Sequence, residues 1–390
     1  MRILIIAPTP FFSHRGCHIR IFEEARALLE RGHSVEVVTY HIGEDLPDIS
    51  IKRIPNFFWY QEKGTHVTWH KLYFDFFLLL RAFYSLLRFR PHVLHCHLHE
   101  GALIGIILRL ITRKPMVFDS QGSLVAELKE LKAINQNSFS YRLFLWIEKF
   151  IYWLSPIILV SNEANRVELI TSFKVPERKV KLLEDGISIA DCKVSKSTAQ
   201  RFRKEIRVPP SKKVIIFVGG LYQKKGVGDI IELAYELAKK RDDLFWIIRG
   251  FPYVTWYQEE VNKKHLQSVV HVGGKIPYTD LWSLFSIAHF AISLKPPTVE
   301  GSGKLLHYAQ AGLPVICYDQ LSNRSILGEH AFYLSFNSSM EENASHVSDY
   351  LDLEPEIHKE SVKAMQEMVL HTYEWKQIIK ELEHIYGGLI

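Results

Sequence analysis

Lys213-Val214-Ile215-Ile216-Phe217-Val218 opens a β-strand directly after residues 191–212, a polar, Lys- and Ser-containing stretch that includes Pro209-Pro210. Short β-branched runs alternate with helical-period segments both before and after that stretch. This is the pattern of parallel sheets covered by helices. The restart at Lys213 therefore predicts an α/β chain with a first domain over residues 1–190, a linker over 191–212 and a second domain from 213 onward. The length of 390 residues agrees, being too great for one ordinary core.

In the first half, strands are predicted near 2–7, 34–40, 92–97, 115–119, 156–161 and 179–184. Between the first two, Ile21, Ala25, Leu28 and Leu29 recur with helical spacing, and Gly32 stands where a glycine would end that helix. The second half predicts strands near 213–218, 244–249, 269–273, 289–294, 313–318 and 330–335. Two doubly wound, Rossmann-like domains facing each other would hold a ligand in a cleft at the C-terminal strand edges.

Composition narrows the classes. A hydrophobic fraction of 47% with 23% charged residues describes a globular protein. Residues 1–190 carry 24 Lys and Arg against 19 Asp and Glu, whereas residues 191–390 balance at 24 each. That excess favours an anionic membrane surface or an acidic substrate, and it fits a solvated face equally. No basic recognition stripe is present, so no nucleic-acid partner is expected. Cys17, Cys96, Cys192 and Cys317 form no C-x-x-C pair, which fits a reducing compartment. The apolar run at Met1–Ala7 is too short for a signal sequence, so a cytoplasmic location is expected.

Two segments are unusually apolar. Lys71–Arg88 reads as a basic amphipathic helix, with Lys71, Asp75, Arg81, Ser85 and Arg88 on one arc, suited either to a bilayer interface or to packing on the sheet. Leu143–Val160 is broken by Glu148, Lys149 and Pro156, and reads as a buried helix followed by a buried strand rather than a membrane crossing.

The chemistry-bearing residues centre on Glu300-Gly301-Ser302-Gly303-Lys304-Leu305-Leu306-His307-Tyr308, followed by Gly312-Leu313-Pro314-Val315. A Gly- and Ser-containing turn there opens a helix whose free N–H groups and partial positive charge suit a diphosphate or a set of sugar hydroxyls. An ordinary αβ unit with a flexible entry loop fits the same residues. Near the first strand of this half, Val218-Gly219-Gly220-Leu221-Tyr222-Gln223-Lys224-Lys225-Gly226 places paired lysines beside a turn. Farther back, His95, His97 and His99 alternate at a strand end, which admits a metal site as well as a cleft role. Asp119-Ser120-Gln121-Gly122-Ser123 follows another strand, where Asp119 suits either a hydrogen bond to a ligand hydroxyl or a helix entry.

These stretches together resemble glycosyltransferase family 4. Lys304, Leu305, Tyr308, Gly312, Pro314 and Val315 match its K-L-x-E-Y-x-A-x-G-x-P-V pattern, with His307 at the second glutamate. Lys225 and Gly226 match its V-G-R-L-x-x-x-K-G signature, with Gly220 at the arginine, for which Lys224 or Arg249 would compensate. His95-x-His97 matches its V-H-x-H, and the loop ending at Gly16 resembles its first loop.

The resemblance implies the GT-B fold and a retaining, metal-independent glycosyltransferase acting on a UDP- or GDP-linked sugar, with no cofactor beyond that co-substrate. It places His97, Lys225 and Glu300 in catalysis. Gly16, Gly219, Gly220, Lys224, Arg249, Ser302, Gly303, Lys304 and His307 would bind the donor, and Asp119 with Gly122 would border a glycan or lipid-linked acceptor. Fixed cations would neutralise the leaving diphosphate. Residues 213–370 would be the nucleotide-sugar domain, and a final helix over 371–390, from Trp375 to Tyr386, would return to the first domain. Peripheral attachment to the cytoplasmic face of a membrane, in polysaccharide biosynthesis, is the expected setting. Gly220 and His307 also leave open a non-catalytic GT-B subunit that binds nucleotide sugar, and the shared fold leaves open a nucleotide-sugar epimerase.

Overall fold

A computed structural model describes residues 1–12, 16–58, 70–130, 134–188, 192–297 and 302–390. The chain forms two compact units, Met1–Gly186 with Trp375–Ile390, and Ile187–Glu374. Each is a parallel sheet with helices on both faces, the architecture expected of a GT-B chain.

Unit 1 contains β1 (Arg2–Ala7), β2 (Ser34–Thr39), β3 (Ser50–Arg53), β4 (Val93–His97), β5 (Met116–Ser120), β6 (Ile158–Val160) and β7 (Val180–Leu182) in the order β3-β2-β1-β4-β5-β6-β7. Its helices are α1 (Gly16–Glu30), α2 (His70–Phe89), α3 (Leu98–Thr112), α4 (Leu124–Glu130), α5 (Phe139–Leu154) and α6 (Glu163–Thr171). Strand alternation splits the core in two. Leu4, Ile6, Leu94, Cys96 and Phe118 face α2, α3 and α5, while Ile3, Ile5, Val93 and Val117 face α1 and the last helix of the chain. β3 had no predicted strand; Ser50-Ile51-Lys52-Arg53 is too short and polar to show a period-two signal, and pairs in register with Glu36–Thr39.

Unit 2 begins with α7 (Lys196–Ile206), which occupies the stretch read from sequence as a linker. Phe202 and Ile206 of α7 are buried in this unit's core, so only part of the helix face is polar. There follow β8 (Lys213–Leu221), α8 (Val227–Ala238), β9 (Leu244–Pro252), α9 (Val254–Lys263), β10 (Val270–Gly273), α10 (Leu281–Phe285), β11 (Phe290–Ser293), α11 (Lys304–Gln310), β12 (Val315–Tyr318), α12 (Leu321–Leu327), β13 (Phe332–Leu334), α13 (Met340–Leu351) and α14 (Pro355–Thr372). The six strands run β10-β9-β8-β11-β12-β13.

The final helix, α15 (Trp375–Gly387), belongs to unit 1. Trp375, Ile378, Ile379, Leu382 and Tyr386 recur at helical spacing and are buried beside α1. Gly186 admits this helix closely, since a Cβ there would stand 2.7 Å from the Trp375 ring.

Two apolar segments differ from their sequence reading. In α2 the buried side is Phe74, Leu78, Ala82, Ser85 and Leu86, so Ser85 lies inside while Leu72, Phe76, Leu80, Phe83, Tyr84 and Leu87 are exposed. In α5 Glu148, Ile151 and Tyr152 are buried, but Phe139, Leu143, Trp146, Phe150 and Trp153 are exposed. Both helices carry large apolar residues on more than one side, and the sheet covers one side alone.

Candidate functional sites in the two units

In unit 1 the sheet face that carries α1 and α15 turns polar at its C-terminal edge. β4 and β5 pair so that His97 stands opposite Asp119. His95 and His97, two residues apart on β4, point the same way and stack with ring centroids 4.4 Å apart. The third histidine does not join them. The strand ends at His97, Leu98 takes a left-handed conformation (φ 59), and His99 enters α3, where Nε2 lies 3.2 Å from the Tyr152 hydroxyl.

Above these histidines, α1 contributes Arg20 and Glu24, one turn apart. The Arg20 guanidinium donates to Asp119 Oδ2 at 2.8 Å, to Asp185 Oδ1 at 2.7 Å and to the Leu183 carbonyl at 2.9 Å, and lies 3.1 Å from Glu24 Oε1. His97 Nε2 is 3.4 Å from Glu24 Oε2, and its Nδ1 lies 3.2 Å from Asp119 and 3.0 Å from Gln121 Nε2. His95 Nδ1 and the Tyr386 hydroxyl are 2.6 Å apart. The side chains of His95, His97, Glu24 and Asp119 are fully buried.

Burial alone would raise the Asp119 carboxyl, but Arg20 and the two histidines hold it well below the carboxylate range. Burial pushes Glu24 well above that range, with Arg20 opposing and Asp119 adding to it, so the protonated acid is favoured. Burial, together with the neighbouring His97, depresses His95 and favours its neutral ring. Glu24, His95, His97 and Asp119 offer ligand atoms within 4.8 Å of one another, a set that suits a divalent cation by residue type. The Arg20 guanidinium already supplies positive charge to two of them.

Past β5, Gly122 carries a φ of 148° in the loop that leads to α4, and its carbonyl accepts from the Ser120 hydroxyl. The buried Glu148 of α5 accepts from the Leu124 and Val125 amides and from the Ser123 hydroxyl, which fixes the start of α4.

In unit 2 the polar cluster lies at the C-terminal ends of β8 and β11. Lys304, first residue of α11, is half-buried, with Nζ 3.8 Å from the centre of the Phe217 ring. Burial, then the charges of Lys225 and Lys295, depress this ammonium well below the ordinary lysine range. Gly219 lies directly against it: a Cβ there would stand 2.6 Å from Lys304 Nζ. Lys224 and Lys225 lie half-buried in a single turn, Gln223–Lys225, closed by Gly226 with a φ of 76°. A Cβ on Gly226 would meet the Leu294 carbonyl oxygen at 1.7 Å, so glycine alone allows the turn to close against the segment that carries Lys295.

The other predicted donor residues fall as follows. Ser302 is buried, its carbonyl accepting from Leu305; the Gly303 carbonyl accepts from Leu306 and lies 3.2 Å from His307 Nδ1. His307 also has Nε2 3.4 Å from the Tyr278 hydroxyl, and its ring lies 5.9 Å from Trp282. Arg249 has other surroundings: Nη1 is 3.5 Å from His271, Glu205 is the charge acting on it, and its guanidinium crosses Gly273. Lys304, rather than Arg249, is the cation beside Gly219-Gly220. Gly220 itself abuts the Tyr222 ring. Gly16 opens α1, while Glu300 and Gly301 lie outside the described residues.

Sequence reading missed Arg20, Glu24, Gln121, Lys295 and Tyr386. The first two had a signal: a cation and a carboxylate four residues apart on the helix arc that also carries Ile21, Ala25 and Leu28. Lys295 follows an apolar strand and precedes Pro296-Pro297.

Two family profiles match the chain, one described as Glycosyl transferases group 1 over residues 198–368, the other as Glycosyl transferase 4-like domain over residues 15–186. An uncharacterised glycosyltransferase of Methanocaldococcus jannaschii is 24% identical over 231 residues, 56% of this chain and 55% of that protein. A processive diacylglycerol alpha-glucosyltransferase of Acholeplasma laidlawii is 32% identical over 84 residues, covering 22% of this chain and 25% of that enzyme. The chain thus spans about half or less of these two curated relatives.

Among solved structures, Anabaena HepE in complex with UDP and glucose superposes with a TM-score of 0.79 at 14% identity, covering 100% of both chains. Sucrose-phosphate synthase from Thermosynechococcus elongatus gives 0.78 at 16% identity, covering 100% of this chain and 98% of that one.

Proposed function

Since the chain belongs to the glycosyl transferases group 1 family, we propose that it moves a sugar from a UDP- or GDP-linked donor to a glycan or lipid-linked acceptor, with retention and without a metal ion. The observation that carries this reading is the set of lysines in unit 2. Half-buried Lys304 stands near Lys225 and Lys295, and its ammonium is depressed by burial and by their charge. A dianionic diphosphate relieves that repulsion, and its attraction to the lysines strengthens as charge develops on the leaving group. Lys304 beside Gly219-Gly220 supplies the cation that Gly220 lacks. Fixed ammonium groups serve where other enzymes use an ion.

In unit 1 His97 contacts the transferred sugar, and Asp119 orients it. The Asp119 carboxylate is engaged by Arg20 and His97, which makes it a positioning residue rather than the acceptor's base. Glu300 takes part in catalysis, as the family resemblance implies. Retention rests on the family resemblance, and a cytoplasmic setting on the cysteine pattern.

The test is turnover of a panel of UDP- and GDP-sugars by the wild type and Lys225→Ala. We expect transfer or slow hydrolysis, reduced about 10²- to 10³-fold in the variant, the usual cost of one group that stabilises transition-state charge. Intact turnover in Lys225→Ala would overturn the reading. Conversion of the labelled donor to its epimer would favour the epimerase, and binding without turnover the non-catalytic subunit.

A further inference from the structure

We propose that α2, α3 and α5 form one docking face for an anionic lipid bilayer, and that α5 links this face to the acceptor loop, so that the acceptor is carried on a lipid in that bilayer. The link to an acceptor rests on the transferase reading above; the docking face does not.

The three helices cover the same side of the unit 1 sheet. Leu78 and Ala82 of α2, Ala102 and Ile106 of α3, and Ile151 and Tyr152 of α5 share one core, and α3 packs against both of its neighbours. Their outward sides are apolar where a globular surface is ordinarily polar. On α5, Phe139, Leu143, Trp146, Phe150 and Trp153 follow one another at intervals of four, three, four and three, a single stripe along the helix. Trp146 is 61% and Trp153 69% exposed, and Trp146 stacks on Phe150. On α2 the exposed stripe is Leu72, Phe76, Leu80, Phe83, Tyr84 and Leu87, and α3 adds Leu110 and Ile111 between them. Contiguous exposed apolar surface of this kind marks a docking site. Tyr84, Trp146 and Trp153, rings with one polar edge, suit the headgroup region.

Charge selects the occupant. The helices carry Lys71, Arg81, Arg88, Arg109, Arg142 and Lys149 against Asp75, Glu100 and Glu148. Glu148 is buried, Glu100 pairs with Lys71 at 2.7 Å, and Asp75, hydrogen-bonded by Tyr40, is pushed up to about 7 by burial and then by Glu100. What remains outward is basic and aromatic, the complement of an anionic headgroup layer. No described helix is long and apolar enough to cross a membrane, so the mode is surface docking.

The inner side of α5 gives the face its purpose. On the side away from Trp146, Phe150 and Trp153, Glu148 holds Ser123, Leu124 and Val125 at 3.0–3.2 Å, and both Glu148 and Tyr152 approach His99. The loop that the family resemblance assigns to the acceptor is therefore fastened to the helix that lies on the bilayer. A lipid-linked acceptor would rise from the surface beside the loop that receives it.

The experiment is co-sedimentation of the full chain with phosphatidylcholine vesicles, with and without phosphatidylglycerol, for wild type and a Trp146→Ser/Trp153→Ser variant. Both substitutions are at exposed positions, so the fold is retained, as checked by an unchanged melting transition and an unchanged shift on adding UDP or GDP. We expect the wild type to bind anionic vesicles, to weaken with added salt, and to bind at least about tenfold more tightly than the variant. Tryptophan emission should shift to the blue on binding in the wild type alone. Absence of vesicle binding, equal binding by the variant, or indifference to anionic lipid would each overturn the proposal. So would a wild-type dimer that the double substitution splits without altering sedimentation. Vesicle binding requires no turnover, so a protein that docks but transfers nothing from any donor defeats the transferase reading and leaves the docking face standing.

Discussion

The two polar clusters solve opposite problems. In the unit 1 cluster the cation is met by acidic groups: Arg20 lies against Asp119, Asp185 and Glu24, and two histidines sit against Glu24 and Asp119. In unit 2 the described influences on Lys304 are burial and the charges of Lys225 and Lys295. A compensated network buried at a strand edge orients its members and resists change. A half-buried cation set beside other cations favours an arriving anion. The first is built to position, the second to bind.

The largest effect should come from breaking the compensation. Arg20→Met removes the cation from between buried carboxylates and should cost about 3–5 kcal/mol of stability in urea unfolding, part of which Asp119→Asn restores in the double variant. A loss within about 0.5 kcal/mol, ordinary for a surface site, would show that the network is not what holds this edge.

In unit 2 the same kind of change should act in reverse. Lys304→Met, with a side chain of similar length, removes a desolvated charge and should raise the stability of the ligand-free protein by on the order of 1 kcal/mol. The variant should also lose most of the melting-temperature increase that UDP or GDP gives the wild type. A variant that is less stable yet still responds to nucleotide would erase the contrast between the clusters.

The smallest effect is on pH. The Lys304 ammonium is held below its ordinary range in the free protein, and a bound diphosphate raises it, so binding takes up protons. Affinity for the nucleotide should therefore fall as pH rises between the free and bound pKa values. Calorimetry in buffers of different ionisation enthalpy measures the uptake directly. Proton release, or affinity that rises with pH, would place the depressed ammonium outside the binding event.

Much of the fold was legible because parallel strands announce themselves as short apolar runs. The observed strands near 2–7, 93–97, 116–120, 213–221 and 244–252 fall on such runs, whereas β3 is polar and gave no signal. Helix ends marked by Gly32 and Gly312 appear at φ values of 82° and 72°, as expected of the residue that tolerates them. The sites were legible as motifs but not as networks. His97, Asp119, Lys225 and Lys304 are visible by neighbouring pattern, yet Arg20 and Glu24 lie far from β5 in sequence and Tyr386 lies 291 residues from His95. No local pattern reports which distant charge will neutralise which.

The amino-acid order by itself determined the alternation of strands and helices, the family, and the identity of the lysines and histidines at strand ends, since these depend on local periodicity and short motifs. Tertiary structure alone decided that His99 leaves the histidine row, that Arg20 closes the unit 1 cluster, and that α5 turns its tryptophans outward. Those outcomes depend on which surfaces the folded sheet leaves uncovered and on charges brought together across long stretches of chain, and neither is written in any one segment.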